Sequence, residues 1–315
     1  SDVCSSDLAL KCARPDTAGM KAAPFDYERA QHLEHALELL SQHGSDAKLI
    51  AGGQSLVPMM AMRLVRPALL VDIYRLPELR EINLTGQRMR LGAAVRQNEL
   101  HTHQQAMQVQ PLLAELLPWV GHQQTRHRGT VAGSLAHADV SAELPLAFLV
   151  LGGIAHVQKH GQAVREIPAE SFFLGPMTTC LAEDDILVAT DWPIDTRPHS
   201  ASAFEETSIR HGDYAMASAA CQLRLDDRGH LAEIRLGVGG VGNTPHLFTH
   251  LPAQWIGHKP DPAQIAHWAH AASEELDPQS DIHVQAPFRR HLAKVLIQRV
   301  IQRAAQRAQS TTTAS

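Results

Sequence analysis

The sequence contains no Cys-x-x-Cys pair. Its four cysteines, Cys4, Cys12, Cys180 and Cys221, are scattered through 315 residues. This excludes a disulfide framework and an iron–sulfur cluster held by this chain, and it suits a reduced, cytoplasmic protein. No apolar run reaches the roughly 20 residues needed to span a bilayer. The most apolar stretch, residues 144–154, reads instead as a buried helix. Neither sign of charge dominates: 28 Lys+Arg stand against 33 Asp+Glu, a net charge of −5. There is no electrostatic basis for binding nucleic acid. No G-x-G-x-x-G follows a strand, and no Gly-Lys-Ser/Thr or H-E-x-x-H occurs, which removes the Rossmann, P-loop and zincin readings. Two histidine pairs, His32 with His35 and His267 with His270, are spaced three apart on expected helices. Neither has an obvious carboxylate or Cys partner in its motif, so both read as solvated helix faces and no metal site is assigned. No Ser-His-Asp or paired-carboxylate constellation stands out, and no residue is assigned a catalytic role.

What is present begins with composition. Apolar residues make up 44% and charged residues 19% of the chain, the balance of a globular protein with a large core. Two short glycine-bearing segments then stand out: Ala51-Gly52-Gly53-Gln54-Ser55 and Thr130-Val131-Ala132-Gly133-Ser134. Each interrupts an apolar stretch, offers successive backbone N–H groups and ends in a hydroxyl. Glycine allows positive φ and leaves no Cβ in the way of a ligand, and consecutive N–H groups in such turns make a nest for an anion. Residues 48–51 read as a strand entering the first segment, 56–64 as a short helix and 69–73 as a second strand. This order places the nest near a helix N-terminus, where negative charge is favoured. Folded together, the two segments would cradle a diphosphate.

The run Ala51-Gly52-Gly53-Gln54-Ser55-Leu56-Val57-Pro58, continued by Arg63-Leu64, Pro67 and Val71-Asp72-Ile73, resembles the FAD-binding subunit of molybdenum hydroxylases. That family includes the medium subunit of carbon monoxide dehydrogenases and the flavin portion of xanthine dehydrogenases. The segment from Arg126-His127-Arg128-Gly129 through Thr130-Val131-Ala132-Gly133-Ser134 to His137-Ala138-Asp139 is similar to its second flavin motif, and Ala142-Glu143-Leu144-Pro145 continues it. Phe204 through Arg210-His211-Gly212-Asp213-Tyr214-Ala215 is similar to a third landmark. The resemblance runs in order from about residue 23 to 303.

An α+β fold is expected, because strands and helices mix without strict βαβ alternation. The sequence predicts a helix over 27–42 with Asp26 as N-cap and Gly44 as its stop. It predicts a hairpin over 80–95, mainly helical chain over 100–119 broken at Pro111, a short strand-like piece at 131–135 and a helix at 143–151. A hairpin turning at His160-Gly161 and a strand at 186–192 follow. Prolines in 193–199 mark a boundary. Beyond it three antiparallel strands, 203–210, 217–225 and 231–238, precede helices at 262–276 and 287–308. The resemblance implies two N-terminal α+β FAD-binding subdomains, a PCMH-type flavin domain of about 23–79 and 80–197, and a C-terminal sheet-plus-helix domain of 200–305. Residues 1–22 lack periodicity and the features of a secretory signal, and are expected to be a disordered or foreign tail. A second tail is expected over 306–315.

The resemblance also implies a cofactor, FAD, held without a covalent link; His127 and His137 lie near the second segment but are not its linkers. Gly52, Gly53, Gln54 and Ser55 are expected at the diphosphate, with Lys48, Leu49, Ile50, Ala51 and Leu56 around them. Thr130, Val131, Ala132, Gly133 and Ser134 are expected opposite, with Val120 nearby. The family has two glycines in the second segment. Here Ala132 replaces the first, which requires negative φ at that position. Glu143 matches a carboxylate that holds the ribose or adenine end, Leu187 an apolar residue beside a ring, and Asp213 and Tyr214 the loop near the isoalloxazine. Glu205 stands where some relatives carry a cation and is not assigned. The implied partners are a large molybdopterin subunit and a small [2Fe–2S] subunit, assembled as a dimer of heterotrimers. The flavin subunit then passes electrons from the clusters to an external acceptor. A stand-alone flavin-binding protein and a non-flavin diphosphate binder remain the competing readings.

Overall fold

The structure, a computed structural model, describes residues 21–310. Residues 1–20 and 311–315, which hold nearly all of the first expected tail, half of the second, and Cys4 and Cys12, lie outside the described residues; residues 306–310, expected as tail, continue the last helix. Its mixed strands and helices agree with the α+β expectation.

The first sheet is parallel. Strands β1 (Asp26–Arg29), β2 (Ala47–Ile50) and β3 (Leu69–Asp72) lie in the order β1-β3-β2. Helix α1 (Leu33–His43) connects β1 to β2, and α2 (Leu56–Ala61) connects β2 to β3. The expected helix over 27–42 is therefore wrong at its start. Residues 26–29 are a strand because β3 supplies their hydrogen-bond partners; Asp26 N donates to Ala68 O and Ala30 N to Asp72 O at the two ends. The helix begins at Leu33, capped by His32, whose Nδ1 accepts from His35 N at 3.1 Å, and by the Glu78 carboxylate at Leu33 N. The His32/His35 pair is thus a cap. Gly44 ends the helix at φ 51°, as its position predicts.

The second sheet is antiparallel, in the order β4 (Ile82–Thr85), β5 (Arg88–Gly92), β10 (Ile186–Pro193), β6 (Ile154–Gln158), β7 (Arg165–Pro168). A two-stranded ribbon, β8 (Phe173–Gly175) with β9 (Thr178–Thr179), lies between β7 and β10 in the chain. Six helices fall between β5 and β6: α3 (Gln97–Thr102), α4 (Gln104–Val109), α5 (Pro111–Leu116), α6 (Gln123–Arg128), α7 (Val131–His137) and α8 (Glu143–Leu151). The strand-like reading of 131–135 is corrected: only Thr130 makes a bridge, to Arg96, and the chain then turns into α7. The Thr130 side chain accepts from Gly133 N at 3.0 Å, a helix N-cap that outweighs the β preference of one valine. All nine residues of α8 are buried.

The third sheet is antiparallel: β11 (Ser200–Thr207), β12 (Ala217–Leu225), β13 (Leu231–Gly239) and β14 (His246–Phe248). The fourth strand is three residues long and leaves no alternating pattern to read. Helices α9 (His250–Trp255), α10 (Pro262–Glu274) and α11 (Ala286–Ser310) complete the chain. Strand alternation divides this sheet between two cores. Ala203, Ala219 and Cys221 face the core built with α10 and α11, whereas Phe204 and Ala220 join the core of the first two sheets. Arg303 and Arg307 on α11 reach Glu115 on α5, and Arg299 and Arg303 pair with Glu205 on β11. Glu205, unassigned from sequence, therefore ties the C-terminal helix to its sheet.

Trp192 is fully buried on β10, edge-on to Phe148 of α8 with ring centres 5.0 Å apart, and its Nε1 donates to Thr190 Oγ1 at 2.9 Å. Trp192→Ala is expected to cost about 3–5 kcal/mol through the cavity it leaves. A denaturant midpoint within error of wild type would show that α8 is not held by this contact.

Candidate functional site

The loop after β2 approaches the chain between α6 and α7 so closely that side chains cannot intervene. A Cβ on Gly52 would overlap the carbonyl oxygen of Arg128 and lie 2.7 Å from Gly129 Cα. Gly129 is itself confined, since its Cβ would lie 2.8 Å from Gln97 Oε1. Gln97 N donates to Gly129 O, and Val131 N to Val95 O. The guanidinium of Arg96 lies 4.5 Å, and that of Arg128 5.7 Å, from the ring centre of Tyr74, just past β3. Arg126 Nη1 donates to the carbonyls of Pro118, Val120 and Gly121, fixing the turn before α6. The first glycine segment thus meets, backbone to backbone, the two residues that lead into the second, as a common cradle requires.

Between them opens a cleft of about 650 Å³, the size range of small-molecule and cofactor sites. The whole run Lys48 to Leu56 lines it, with Val120, Thr130, Ala132, Gly133, Ser134, Glu143, Leu187, Asp213 and Tyr214. Val131 does not: it is fully buried and its N–H is taken by Val95. Gly129, part of the second motif, lines the cleft, and so do Gln97, Gly121, Thr125, Met177 and Asp185, which were not singled out from sequence. They come from helices α3 and α6 and from separate turns, and no local pattern marks them.

The two segments differ in what they offer. Gly53 has φ +70°, the left-handed region that favours glycine, and the N–H groups of Gly52, Gly53, Gln54 and Ser55 donate to no acceptor among the described residues. These four donors form the nest. In the second segment the Gly133 N–H is bound to Thr130 Oγ1 and the Ser134 N–H to Thr130 O. Its part is the small first turn of α7 facing the cleft. Ala132 is helical, with negative φ, as its methyl demands. A flexible dinucleotide of two phosphates fits this donor set: free N–H groups on one side, a wall without bulky side chains on the other.

The far wall carries charge. Glu143 begins α8 and is 6% exposed. Burial, and after it the nearby Asp139, pushes its carboxyl up to about 7, against the pull of Arg126. The segment after β11 closes one end. Gly212 has φ +90°, its Cβ would lie 2.7 Å from His122 Nδ1, and His211 packs its ring on Trp119 at 4.8 Å. That contact presents Asp213 and the exposed Tyr214 to the cleft.

Two family profiles match the chain: the FAD binding domain in molybdopterin dehydrogenase over residues 23–194, and the CO dehydrogenase flavoprotein C-terminal domain over 202–304. The chain is 39% identical to the alpha subunit of the 6-hydroxypseudooxynicotine dehydrogenase complex of Paenarthrobacter nicotinovorans, covering 93% of this chain and 98% of the relative. It is 34% identical to the nicotine 6-hydroxylase medium subunit of the same organism, covering 90% and 98%. Among solved structures, quinoline 2-oxidoreductase from Pseudomonas putida 86 superposes with a TM-score of 0.87 at 36% identity, covering 91% of this chain and 99% of that one. The cleft, its paired glycine segments and both matched domains together place this chain in the family of FAD-binding medium subunits of molybdenum hydroxylases, oxidoreductase complexes of the carbon monoxide and xanthine dehydrogenase type.

Proposed function

We propose that this chain relays electrons from [2Fe–2S] clusters on a small partner subunit, through FAD, to an external acceptor. A large molybdopterin subunit would oxidise the substrate. The observation that carries the reading is the meeting of Gly52 with Arg128 and Gly129, which builds one cleft from two distant segments and leaves four N–H groups in it without an acceptor among the described residues. Bound FAD supplies the redox chemistry, while the protein binds and orients it. The four cysteines are scattered, and the reading assigns the clusters to the small partner subunit. The complex would be a dimer of heterotrimers in the cytoplasm. The stand-alone alternative gains no support: the relatives carry the names of a complex subunit and a medium subunit.

In this reading residues 23–79 and 80–197 clasp FAD, and 200–305 close over it. The N–H groups of Gly52 to Ser55 hold the diphosphate, and the first turn of α7 faces it. Lys48 to Ala51, Leu56 and Val120 complete that end. Glu143 accepts from a cofactor hydroxyl or amine, Leu187 packs beside a ring, and Asp213 and Tyr214 stand at the edge of the isoalloxazine. The exposed Ile209 and Tyr214 then lie where a ferredoxin-like partner would dock.

Purified alone, the chain is expected to carry one FAD, released into the supernatant by acid. It should oxidise no substrate until the two other subunits are added, which should restore reduction of FAD by substrate. Turnover by the lone chain, or flavin reduction indifferent to those subunits, would overturn the relay. Colour retained in the acid precipitate would overturn non-covalent binding.

A further inference from the structure

Behind the wall formed by Glu143, the third sheet carries an acid with no partner among the described residues. Glu206 on β11 stands opposite Ser218 on β12, and Ser218 stands opposite Gly239 on β13. Directly opposed residues of an antiparallel sheet project from the same face. That face looks at α8: a Cβ on Gly239 would lie 2.7 Å from Ser218 Oγ and 3.6 Å from Leu146 Cδ2. Leu146 is three residues on from Glu143, so the two share one side of the helix. The Glu206 carboxyl is therefore enclosed between the sheet and the first turn of α8.

It is 5% exposed, and among the described residues neither of its oxygens has a hydrogen-bond partner; nor does the buried Ser218 hydroxyl beside it. An ionised carboxylate in such a place is costly, and the group keeps its proton instead. Burial pushes Glu206 up to about 9, and the charge of Glu143 adds to it. The groups whose charge bears on Glu143 are Asp139, just before α8, and Arg126 on α6; Glu143 in turn acts on Glu206 and on Tyr214. Glu143 and Glu206 are a pair in which the cleft-side member ionises first.

We propose that Glu206 is a positioning residue for Glu143: the two carboxyl groups carry one negative charge between them, Glu206 keeps its proton through the neutral range, and FAD is held most firmly when Glu143 alone is ionised. The inference rests on the reading that Glu143 accepts a hydrogen bond from FAD. On the acid side, protonated Glu143 has lost acceptor capacity. On the alkaline side, ionised Glu206 places a second negative charge in the same low-dielectric pocket, close to the cofactor's own charge.

The test is the dissociation constant of FAD for the full chain, followed by flavin fluorescence from pH 5 to 10 at fixed ionic strength. A bell is expected, with affinity falling by up to about tenfold per pH unit below pH ~7 and again above pH ~9. Glu143→Gln should flatten the acid limb. Glu206→Gln should keep the acid limb and lose the alkaline one. An affinity independent of pH, or an alkaline limb that survives Glu206→Gln, overturns the pair while leaving the cleft as the FAD site. No FAD binding at any pH overturns the cleft assignment itself. Should Glu206→Gln not fold, calorimetry of the wild-type protein in two buffers of different ionisation enthalpy decides: FAD binding near pH 6.5 should release a substantial fraction of one proton, and zero release overturns the proposal.

Discussion

Gly52→Ala is expected to yield a protein that purifies without FAD. The added methyl would overlap the Arg128 carbonyl and crowd Gly129 Cα. Both obstacles are backbone, and the backbone there is pinned by Gln97, Val95 and the Tyr74 ring. The only relief is to move the two segments apart, which separates the four free N–H groups from the wall that faces them. Gly53→Val acts differently. It forces a branched residue to φ +70° and crowds Ile50 and Val57, whose side-chain atoms lie 3.3 Å from the new Cβ. Those side chains can yield, so partial FAD retention is expected there. Lys48→Ala is the mild control, since Lys48 is exposed and a single exposed cation contributes little. Flavin-to-protein absorbance ratios measure all three. Full flavin content in Gly52→Ala would show that the contact between the segments is unrelated to the cofactor.

Glu206→Gln is expected to stabilise the fold increasingly as pH rises. The sign follows from the direction of the shift. The folded-state carboxyl is raised to about 9, whereas an unfolded glutamate titrates near ~4.3. Between those values the unfolded chain ionises while the folded one holds its proton. The wild-type fold therefore has its full stability below pH ~4.3, loses about 1.4 kcal/mol per pH unit above it, and stops losing near pH 9. Glutamine has the same shape and no proton to lose. The difference in unfolding free energy between variant and wild type should be small at pH 5 and amount to several kcal/mol at pH 8. Urea midpoints at pH 5, 6.5 and 8 give the slope. A difference that is constant across that range would mean that Glu206 is ionised in the folded protein.

Much of the fold could be read along the chain because local chemistry decides it. Gly44 stops α1, α8 is apolar on every side after Glu143, and α10 and α11 carry helical spacing. The failures have two causes. Residues 26–29 alternate too weakly to betray a strand, and become one because β3 offers hydrogen bonds on its free edge. Residues 131–135 carry a valine where a strand was expected, and become helical because Thr130 caps them. In the first case a partner elsewhere in the chain outweighs intrinsic preference; in the second the adjacent cap does.

By itself the sequence showed two hydroxyl-ended glycine segments suited to a phosphate-bearing cofactor, within motifs that resemble the FAD-binding subunits of molybdenum hydroxylases. Backbone freedom and missing side chains are properties of single residues, and they are written in the residue names. Tertiary structure decided that the segments touch through Gly52 and Arg128, that the first keeps its N–H donors free while the second bonds its own, and that Val131 faces inward. It alone brought Glu206 beneath Glu143. The two lie 63 residues apart in number, and whether a carboxyl is charged or neutral depends on how much water and which charges surround it once the chain has closed.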